Sequence, residues 1–290
     1  MGAHSRRPVV RYHGAKWKVA KWVISHFPPH TAYVEPFGGG AAVLLQKDPA
    51  KGEIYNDLDE TMVSLFRVLR DREKAERLVA LLELTPFSRA EFDAAYEPTD
   101  DDVEAARRTI VRSFMGYGSD GTAGEYKTGF RRTVTAAEKF PASEWATYPM
   151  ALRRTIERLA GVVIEQTDAF TLMPALDAET TLFYVDPPYH PETRSQGNRR
   201  RGAGYHVYKH EMDVDDHVRL LDILCALKGM VVLSGYPHAL YDEKLTGWAR
   251  VTRGAYADGG RARTECLWIN PAAQEKMKGR DTVSLLDLGE

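Results

Sequence analysis

Residues 181–189 read TLFYVDPPY, so a short apolar run ends in an acid, two prolines and an aromatic residue. The run before Asp186 is apolar on both faces and rich in branched and aromatic residues, which is typical of a parallel strand covered on both sides. Five other stretches share this character, at 32–34, 53–55, 162–165, 230–233 and 266–269. Helical patterns lie between them, and we predict helices from Gly40 to 45, over 59–84, and over 214–227 with Asp213 or Asp215 as the cap. Strands that alternate with helices predict an α/β fold with a doubly wound, mostly parallel sheet.

The stretch between 65 and 155 interrupts this alternation, because it offers helices and loops but no convincing buried strand. It is also too long for an ordinary connection between strands. We therefore predict an inserted helical domain at 65–155, within a sheet domain built from 1–64 and 156–290. The glycine-rich part of the insert, 116–132, interleaves basic and aromatic side chains. This pattern suits either a mobile surface loop or contact with phosphates and stacked bases.

Composition narrows the class of protein. The 290 residues are 43% apolar and 28% charged, with a net charge of −2, as in an ordinary globular protein. Apolar runs are too short to span a bilayer and MGAHSRRPVV holds no signal-peptide core, so we expect a cytoplasmic protein. We expect Cys225 and Cys266 to be buried thiols in a reducing compartment, and their spacing indicates no metal site.

Charge is unevenly distributed along the chain. Residues 91–104 hold seven acids and no base, whereas 193–210 hold five Lys or Arg and no acid. A local basic face can bind phosphates even when the whole protein is nearly neutral. A solvated basic loop is the alternative reading of the second stretch.

The turn VEPFGGG at 34–40 joins the first clear strand to the next segment, and glycines there let the backbone approach a ligand closely. Asp57 follows the next strand, where an acid can accept from the ribose hydroxyls of an adenosine. Glu35 suits a pyrophosphate poorly, which disfavours a nicotinamide oxidoreductase, but it suits a cationic ligand such as S-adenosylmethionine. Asp168 could accept from the adenine amino group with Phe170 packed on the ring, or could simply cap a helix.

The DPPY word suits methyl transfer to an exocyclic aromatic amine. The lone pair of such an amine is delocalised into the ring, so the nitrogen is a poor nucleophile. Two acceptors aimed at its hydrogens, from Asp186 and the carbonyl of Pro187, would favour a pyramidal nitrogen. The prolines fix φ and remove competing N–H donors, and Tyr189 offers a flat face for the base. A base inside a duplex is inaccessible, so it must be flipped out. A strand-ending turn is the structural alternative.

Several motifs together resemble the Dam-type adenine-specific DNA methyltransferases. RYHGAKWK at 11–18 is similar to the N-terminal cofactor motif of that family, with Tyr12 at the Trp position. VEPFGGGAAV at 34–43 resembles the glycine motif, with Ala41 in the last glycine position. YNDLDETMVSLF, DPPY and VVLSGY resemble the motifs that follow, with Gly235 at an Asn position. GGRARTECLWIN, at 259–270, resembles the late motif that closes the sheet with a hairpin.

The resemblance implies a Rossmann-like catalytic domain at 1–64 and 156–290 that binds S-adenosylmethionine, and a target-recognition domain at 65–155. It implies transfer of a methyl group to N6 of a flipped-out adenine in double-stranded DNA, at a site that the sequence does not reveal. The implied catalytic residues are Asp186, Pro187 and Tyr189. The implied cofactor residues are Tyr12, Lys16, Glu35, Pro36, Phe37, Gly39, Asp57, Asp168, Phe170 and Asp186. The residues predicted to contact DNA are Arg112, Tyr117, Lys127, Arg131, Arg199, Arg200 and Arg201.

Other functions remain compatible with the sequence. DPPY-like words also serve methylation of cytosine N4, of RNA adenine or of a protein glutamine side chain, although the N-terminal motif and the insert favour DNA adenine. A DNA-binding relative without activity is a further alternative, which the intact Lys16, Glu35, Asp186 and Tyr189 argue against. The resemblance implies a monomer, and the sequence leaves open whether a separate restriction endonuclease accompanies the enzyme.

Overall fold

The computed structural model describes residues 5, 7–118, 122, 127–132, 140–193, 210–256 and 262–286. Seven strands form one sheet, and their bounds are β1 Ala32–Glu35, β2 Gly52–Asn56, β3 Val162–Glu165, β4 Thr181–Val185, β5 Met230–Gly235, β6 Ala249–Tyr256 and β7 Ala262–Ile269. The strand order is β3-β2-β1-β4-β5-β7-β6. β1 pairs in parallel with β2 and β4, β4 pairs in parallel with β5, and β7 runs antiparallel to β5 and β6. The predicted α/β fold with a mostly parallel, Rossmann-like sheet is confirmed.

Helices account for much of the remaining chain. They are α1 Ala20–Ile24, α2 Glu60–Arg70, α3 Arg72–Leu84, α4 Arg89–Ala94, α5 Asp102–Met115, α6 Pro141–Ala146, α7 Tyr148–Arg158, α8 Ala169–Ala175, α9 Val214–Ala226, α10 Ala239–Lys244 and α11 Pro271–Leu286. Asp213 caps α9 through a reciprocal pair with Asp216, which decides between the two predicted caps. Within the described ranges, no helix is long and apolar enough to cross a membrane.

The six predicted strands are confirmed, and the chain forms one more that the prediction omitted. β6 was not predicted because its sequence, ARVTRGAY, mixes charged, small and apolar residues without a clean alternation. It pairs with β7 over its whole length, from Ala249 opposite Ile269 to Tyr256 opposite Ala262. The hairpin expected at the end of the sheet is therefore present.

The prediction of a helix from Gly40 to 45 is wrong, because this stretch forms turns. Gly39 has φ +46° and Ala41 has φ 52°, both in the left-handed region that a right-handed helix excludes. The amides of Leu45 and Lys47 still bond to the carbonyls of Ala41 and Val43, so isolated helical turns form without a helix.

Two further expectations need correction. The helix predicted over 59–84 is two helices, because Asp71 is extended, ends α2 and caps α3 through the amide of Lys74. Only Cys266 is buried, whereas Cys225 lies on the exposed side of α9.

The chain divides into two compact units. The first comprises Met1–Lys18, Gly39–Pro49 and Asp59–Gln166, and the second comprises Val19–Gly38, Ala50–Leu58 and Thr167–Glu290. In the first unit, the indole of Trp145 donates to the carbonyl of Thr85 at 2.7 Å, and the hydroxyl of Tyr148 donates to the carbonyl of Val9 at 2.6 Å. In the second unit, β4 and β5 are buried along their entire length among apolar side chains of α8, α9 and β7.

Asn270, at the end of β7, joins three backbone segments of the second unit. Its side-chain oxygen accepts from the amides of Val231 at 3.0 Å and Ala273 at 2.9 Å, and its amide donates to the carbonyl of Gly229 at 2.8 Å. The side chain is buried, so water cannot replace these bonds.

We expect Asn270→Ala to lower the free energy of unfolding by about 2–4 kcal/mol, because it leaves buried backbone groups unsatisfied. Urea denaturation followed by circular dichroism measures this loss. The control is Glu275→Ala on the exposed face of α11, for which we expect a change of at most about 0.5 kcal/mol. Equal losses in the two variants would contradict the assignment.

Candidate active site

The carboxyl ends of the central strands carry three acidic residues of the second unit. Glu35 is the last residue of β1, Asp57 directly follows β2, and Asp186 directly follows β4. β1 pairs in parallel with both β2 and β4, so these residues lie at the same edge of the sheet. In open α/β sheets, this edge is where ligands bind.

A buried amide holds three of the loops at this edge together. The side-chain amide of Asn56 donates to the carbonyls of Pro36 at 2.8 Å and Thr167 at 2.9 Å, and its oxygen accepts from the amide of Thr167 at 2.8 Å. The backbone carbonyl of Asn56 accepts from Gly38 at 2.8 Å. Glu35, Asp57 and Asp168 directly follow or precede these bonded residues in the chain. The hydrogen bonds of Asn56 therefore hold the backbone next to all three acids in place. Asn56 was not predicted as a site residue, since nothing in the sequence indicates its distant partners.

Buried phenols accompany the acids. The hydroxyl of Tyr33 donates to Glu35 at 3.0 Å, and the hydroxyl of Tyr189 donates to Glu265 at 2.8 Å. Burial raises the pKa of Tyr33, and the negative charge of Glu35 raises it further. Burial, then Asp186 and then Glu265 raise the pKa of Tyr189 in the same way. The phenols therefore stay protonated and remain donors at neutral pH.

Tyr184 lies within the electrostatic reach of three acids. Its pKa is raised by burial first, then by Asp186 and Glu35, and to a smaller extent by Glu265. One acid of β1, one at the end of β4 and one of β7 therefore all act electrostatically on the same phenol of the second unit. A low-dielectric site lined by several carboxylates produces a negative potential, which favours a cationic ligand.

The DPPY segment follows β4 without leaving this edge. Asp186 is half-buried and Pro187 is buried. The rings of Tyr189 and Tyr236 form a T-shaped pair, with centroids 4.5 Å apart and planes at 73°. Asp186, Tyr189, Glu35 and Asp57 therefore belong to one compact unit, and the site that they are predicted to share stays a prediction.

This geometry agrees with the comparison to known families. The model of the D12 class N6 adenine-specific DNA methyltransferase family matches residues 12–238. The chain belongs to this family. The resemblance to Dam-type enzymes is thereby confirmed, and the protein is a methyltransferase of the DNA-adenine class. Among curated proteins, the search finds no match to the chain.

The other cofactor residues predicted for this methyltransferase lie in different surroundings. Asp168 is exposed and caps α8, accepting from the amide of Phe170 at 3.1 Å and the hydroxyl of Thr171 at 3.3 Å. The guanidinium of Arg219 lies 4.7 Å from the centre of the Phe170 ring. The helix-cap reading of Asp168 is therefore confirmed, and its contact with a cofactor stays a prediction.

Three predicted cofactor residues belong to the first unit. The side chain of Lys16 is buried and donates to the carbonyl of Gly14 at 2.9 Å. The ring of Tyr12 packs directly on Gly39, because a Cβ added to that glycine would lie 2.8 Å from Cε1 of the ring. Tyr12 of the N-terminal motif and Gly39 of the glycine turn are therefore in contact within the first unit.

The predicted DNA contacts that are described gather near the end of α5. Tyr117 bonds to Gly129 through the backbone at 2.9 Å, and Arg131 bonds to Met115 at 2.7 Å. Tyr117 is 52% exposed, and Lys127 pairs with Asp93 at 2.9 Å. Arg131 pairs with Glu144 at 3.3 Å, and Arg112 donates to the carbonyl of Ala95 at 2.6 Å. Burial lowers the pKa of Arg112. The remaining three, Arg199, Arg200 and Arg201, lie outside the described residues.

Two groups of residues at this edge were not predicted. Glu265 and Ser234 contact the hydroxyl of Tyr189, although they lie far along the chain. His190, Glu192 and His238 also come together. Nδ1 of His238 accepts from the amide of Leu240, which leaves its proton on Nε2, 3.1 Å from Glu192. A helix cap and a hydrogen bond therefore account for the placement of His238 and Glu192.

We expect Gly39→Ala to lower the free energy of unfolding by about 2–4 kcal/mol, because the new methyl group must displace Tyr12 and the residue keeps a left-handed φ. Thermal denaturation measures the effect. Gly52→Ala is the matched control, because it has no heavy atom within 4 Å of the added Cβ and no positive φ. A loss no larger than that of the control would show that the contact between Tyr12 and Gly39 is not close.

Proposed function

We propose that this enzyme transfers a methyl group from S-adenosylmethionine to N6 of a flipped-out adenine at a specific site in double-stranded DNA. The observation that carries the proposal is the convergence of Glu35, Asp186 and Glu265 on buried phenols beside the DPPY segment. Family membership supports the same chemistry.

The acidic edge suits the charge of the proposed cofactor. When bound, S-adenosylmethionine supplies an activated methyl group on a positively charged sulfur. Glu35 is buried and receives a hydrogen bond from Tyr33, so its carboxylate is oriented before any ligand arrives. Asp57 would accept from the ribose hydroxyls. Tyr12, Lys16, Pro36, Phe37, Gly39, Asp168 and Phe170 complete the proposed cofactor set.

The DPPY segment would hold the target amine. A carboxylate oxygen of Asp186 and the carbonyl of Pro187 would accept the two N6 hydrogens, which favours a pyramidal nitrogen with a free lone pair. Pro187 and Pro188 have no N–H to compete for these acceptors, and their fixed φ keeps the carbonyl in place. Tyr189 would provide the ring on which the flipped adenine stacks. The rate enhancement then comes from positioning and preorganised electrostatics.

DNA contacts are proposed from two parts of the chain. The segment 65–155 would recognise the target, with Arg112, Tyr117, Lys127 and Arg131 at the DNA. Tyr117 is 52% exposed and the side chain of Lys127 is 53% exposed, which favours both for contact with DNA. Arg199, Arg200 and Arg201 would bind phosphates and contribute to the salt dependence of binding.

The decisive experiment compares wild-type protein with Asp186→Ala, using labelled S-adenosylmethionine and double-stranded DNA that contains all short sequence contexts. We expect the variant to lose methylation by at least about a hundredfold, because one of the two acceptors of the amine is gone. DNA binding, measured by fluorescence anisotropy, should stay within about threefold of wild type because Asp186 contributes no positive charge.

The control for this variant is Asp215→Ala on the exposed first turn of α9, which should retain full activity. Nucleoside analysis of the labelled product separates the alternatives: N6-methyladenine in DNA supports the proposal. Label in cytosine, RNA or protein would favour the other methyltransferase readings. Methylation by Asp186→Ala at the wild-type rate would contradict the proposed mechanism.

A second experiment tests the cofactor. We expect Glu35→Gln to raise the Kd for S-adenosylmethionine about tenfold, because a charge is removed while the acceptor for Tyr33 remains. Isothermal titration calorimetry measures this Kd, and 5′-methylthioadenosine, which carries no positive charge, serves as the comparison ligand. Equal weakening of both ligands would indicate general disruption of the site instead of charge recognition.

A further inference from the structure

The hydroxyl of Tyr189 is held by residues from the two strands beyond β4. It donates to Glu265 of β7 at 2.8 Å and lies 3.4 Å from the hydroxyl of Ser234 in β5. Tyr189 is 9% exposed and Glu265 is 8% exposed, so this contact is shielded from water. β7 is antiparallel to β5, with Cys266 opposite Gly235, which brings Glu265 to the carboxyl end of β5.

A buried carboxylate at this position is unfavourable for the stability of the fold. Burying an acid costs free energy unless hydrogen bonds compensate, and an apolar residue would pack at lower cost. The neighbouring residues of β7, from Cys266 to Ile269, are fully or almost fully buried and mostly apolar. The placement of Glu265 therefore indicates a role for its hydrogen bond to Tyr189.

The ring of Tyr189 is constrained from two sides. Glu265 accepts a hydrogen bond from the hydroxyl end, and Tyr236 packs against the ring in a T-shaped pair with centroids 4.5 Å apart. Together these contacts determine the direction in which the ring plane faces. A hydroxyl held at one end prevents the ring from tilting, which packing alone would allow.

We propose that Glu265 is a positioning residue that sets the orientation of the Tyr189 ring toward the target base. This inference rests on the proposed function, since it requires Tyr189 to stack on a flipped adenine. Glu265 acts through Tyr189, whose hydroxyl donates to the Glu265 carboxylate at 2.8 Å, and a hydrogen bond to an ionised acceptor is stronger than one between neutral groups. We therefore expect loss of this hydrogen bond to slow the chemical step more than it weakens cofactor binding.

Steady-state kinetics of Glu265→Ala, Glu265→Gln and Tyr189→Phe test the proposal. We expect Glu265→Ala to lower kcat about tenfold while the KM for S-adenosylmethionine stays within about twofold, because only the base is misaligned. Glu265→Gln keeps an acceptor for the phenol and should recover most of the rate. Tyr189→Phe removes the donor but keeps the ring, and should lower kcat about as much as Glu265→Ala.

A double-mutant cycle distinguishes positioning from separate structural effects. If both residues act through one bond, adding Glu265→Ala to Tyr189→Phe should cause little further loss of kcat. Duplex DNA with 2-aminopurine at the target position adds a spectroscopic readout. Its emission in the complex should be brighter with Glu265→Ala than with wild type, because a tilted ring stacks less closely and quenches less.

The outcomes separate this inference from the proposed function. Absence of methyl transfer to DNA by the wild-type protein would overturn the proposed function and the inference with it. Transfer by wild type that is unchanged in Glu265→Ala, or a loss that appears only in the KM for S-adenosylmethionine, would overturn the inference alone. If Glu265→Ala does not fold, an unchanged kcat in Tyr189→Phe overturns it equally.

Discussion

The structure of the candidate active site depends on the burial of several carboxylates at the carboxyl edge of the central strands. Glu35 and Glu265 are almost fully removed from water, and each receives a hydrogen bond from a buried tyrosine. The phenols can serve because burial and the nearby acids raise their pKa and keep them protonated. In these pairs the tyrosine donors are neutral and the carboxylate acceptors are negative. Such an edge is preorganised for a cation, whose binding would recover part of the desolvation cost.

Backbone positions at this edge depend on polar contacts between residues distant in sequence. Asn56 bonds to Pro36 and to Thr167, which is 111 positions away. Asn270 plays a similar part at the opposite end of β5, where it bonds to Gly229 and Val231. Both amides are buried, and each adds side-chain hydrogen bonds between chain segments at a strand end. The acids at the strand ends can therefore be placed without a ligand.

The acidic stretch at 91–104 explains how a protein with many basic residues stays nearly neutral. Glu104 pairs with Arg107 and Arg108, Glu91 also pairs with Arg107, and Asp101 pairs with Arg77. These three of the seven acids therefore stabilise helices α3 to α5 of the first unit through ion pairs. Arg107 and Arg108 of α5 pair with these acids and Arg112 donates to the carbonyl of Ala95, whereas Tyr117 just beyond the helix is exposed.

The sequence is enough to predict the fold class, six of the seven strands that the described residues form, and the positions of DPPY, Glu35 and Asp57. These features depend on local apolar runs and on the residues that directly follow them. The sequence could not determine the helix break at Asp71 or the turns at 40–45, which depend on single backbone angles. The hydrogen-bond partners of the site residues, in contrast, follow from the tertiary structure. Glu265 lies 76 positions from Tyr189, and the two meet because an antiparallel hairpin with the unpredicted β6 places β7 beside β5. Hydrogen bonds between such distant residues leave no periodic pattern in a sequence, so Asn56, Ser234 and Glu265 become visible only once the sheet is assembled.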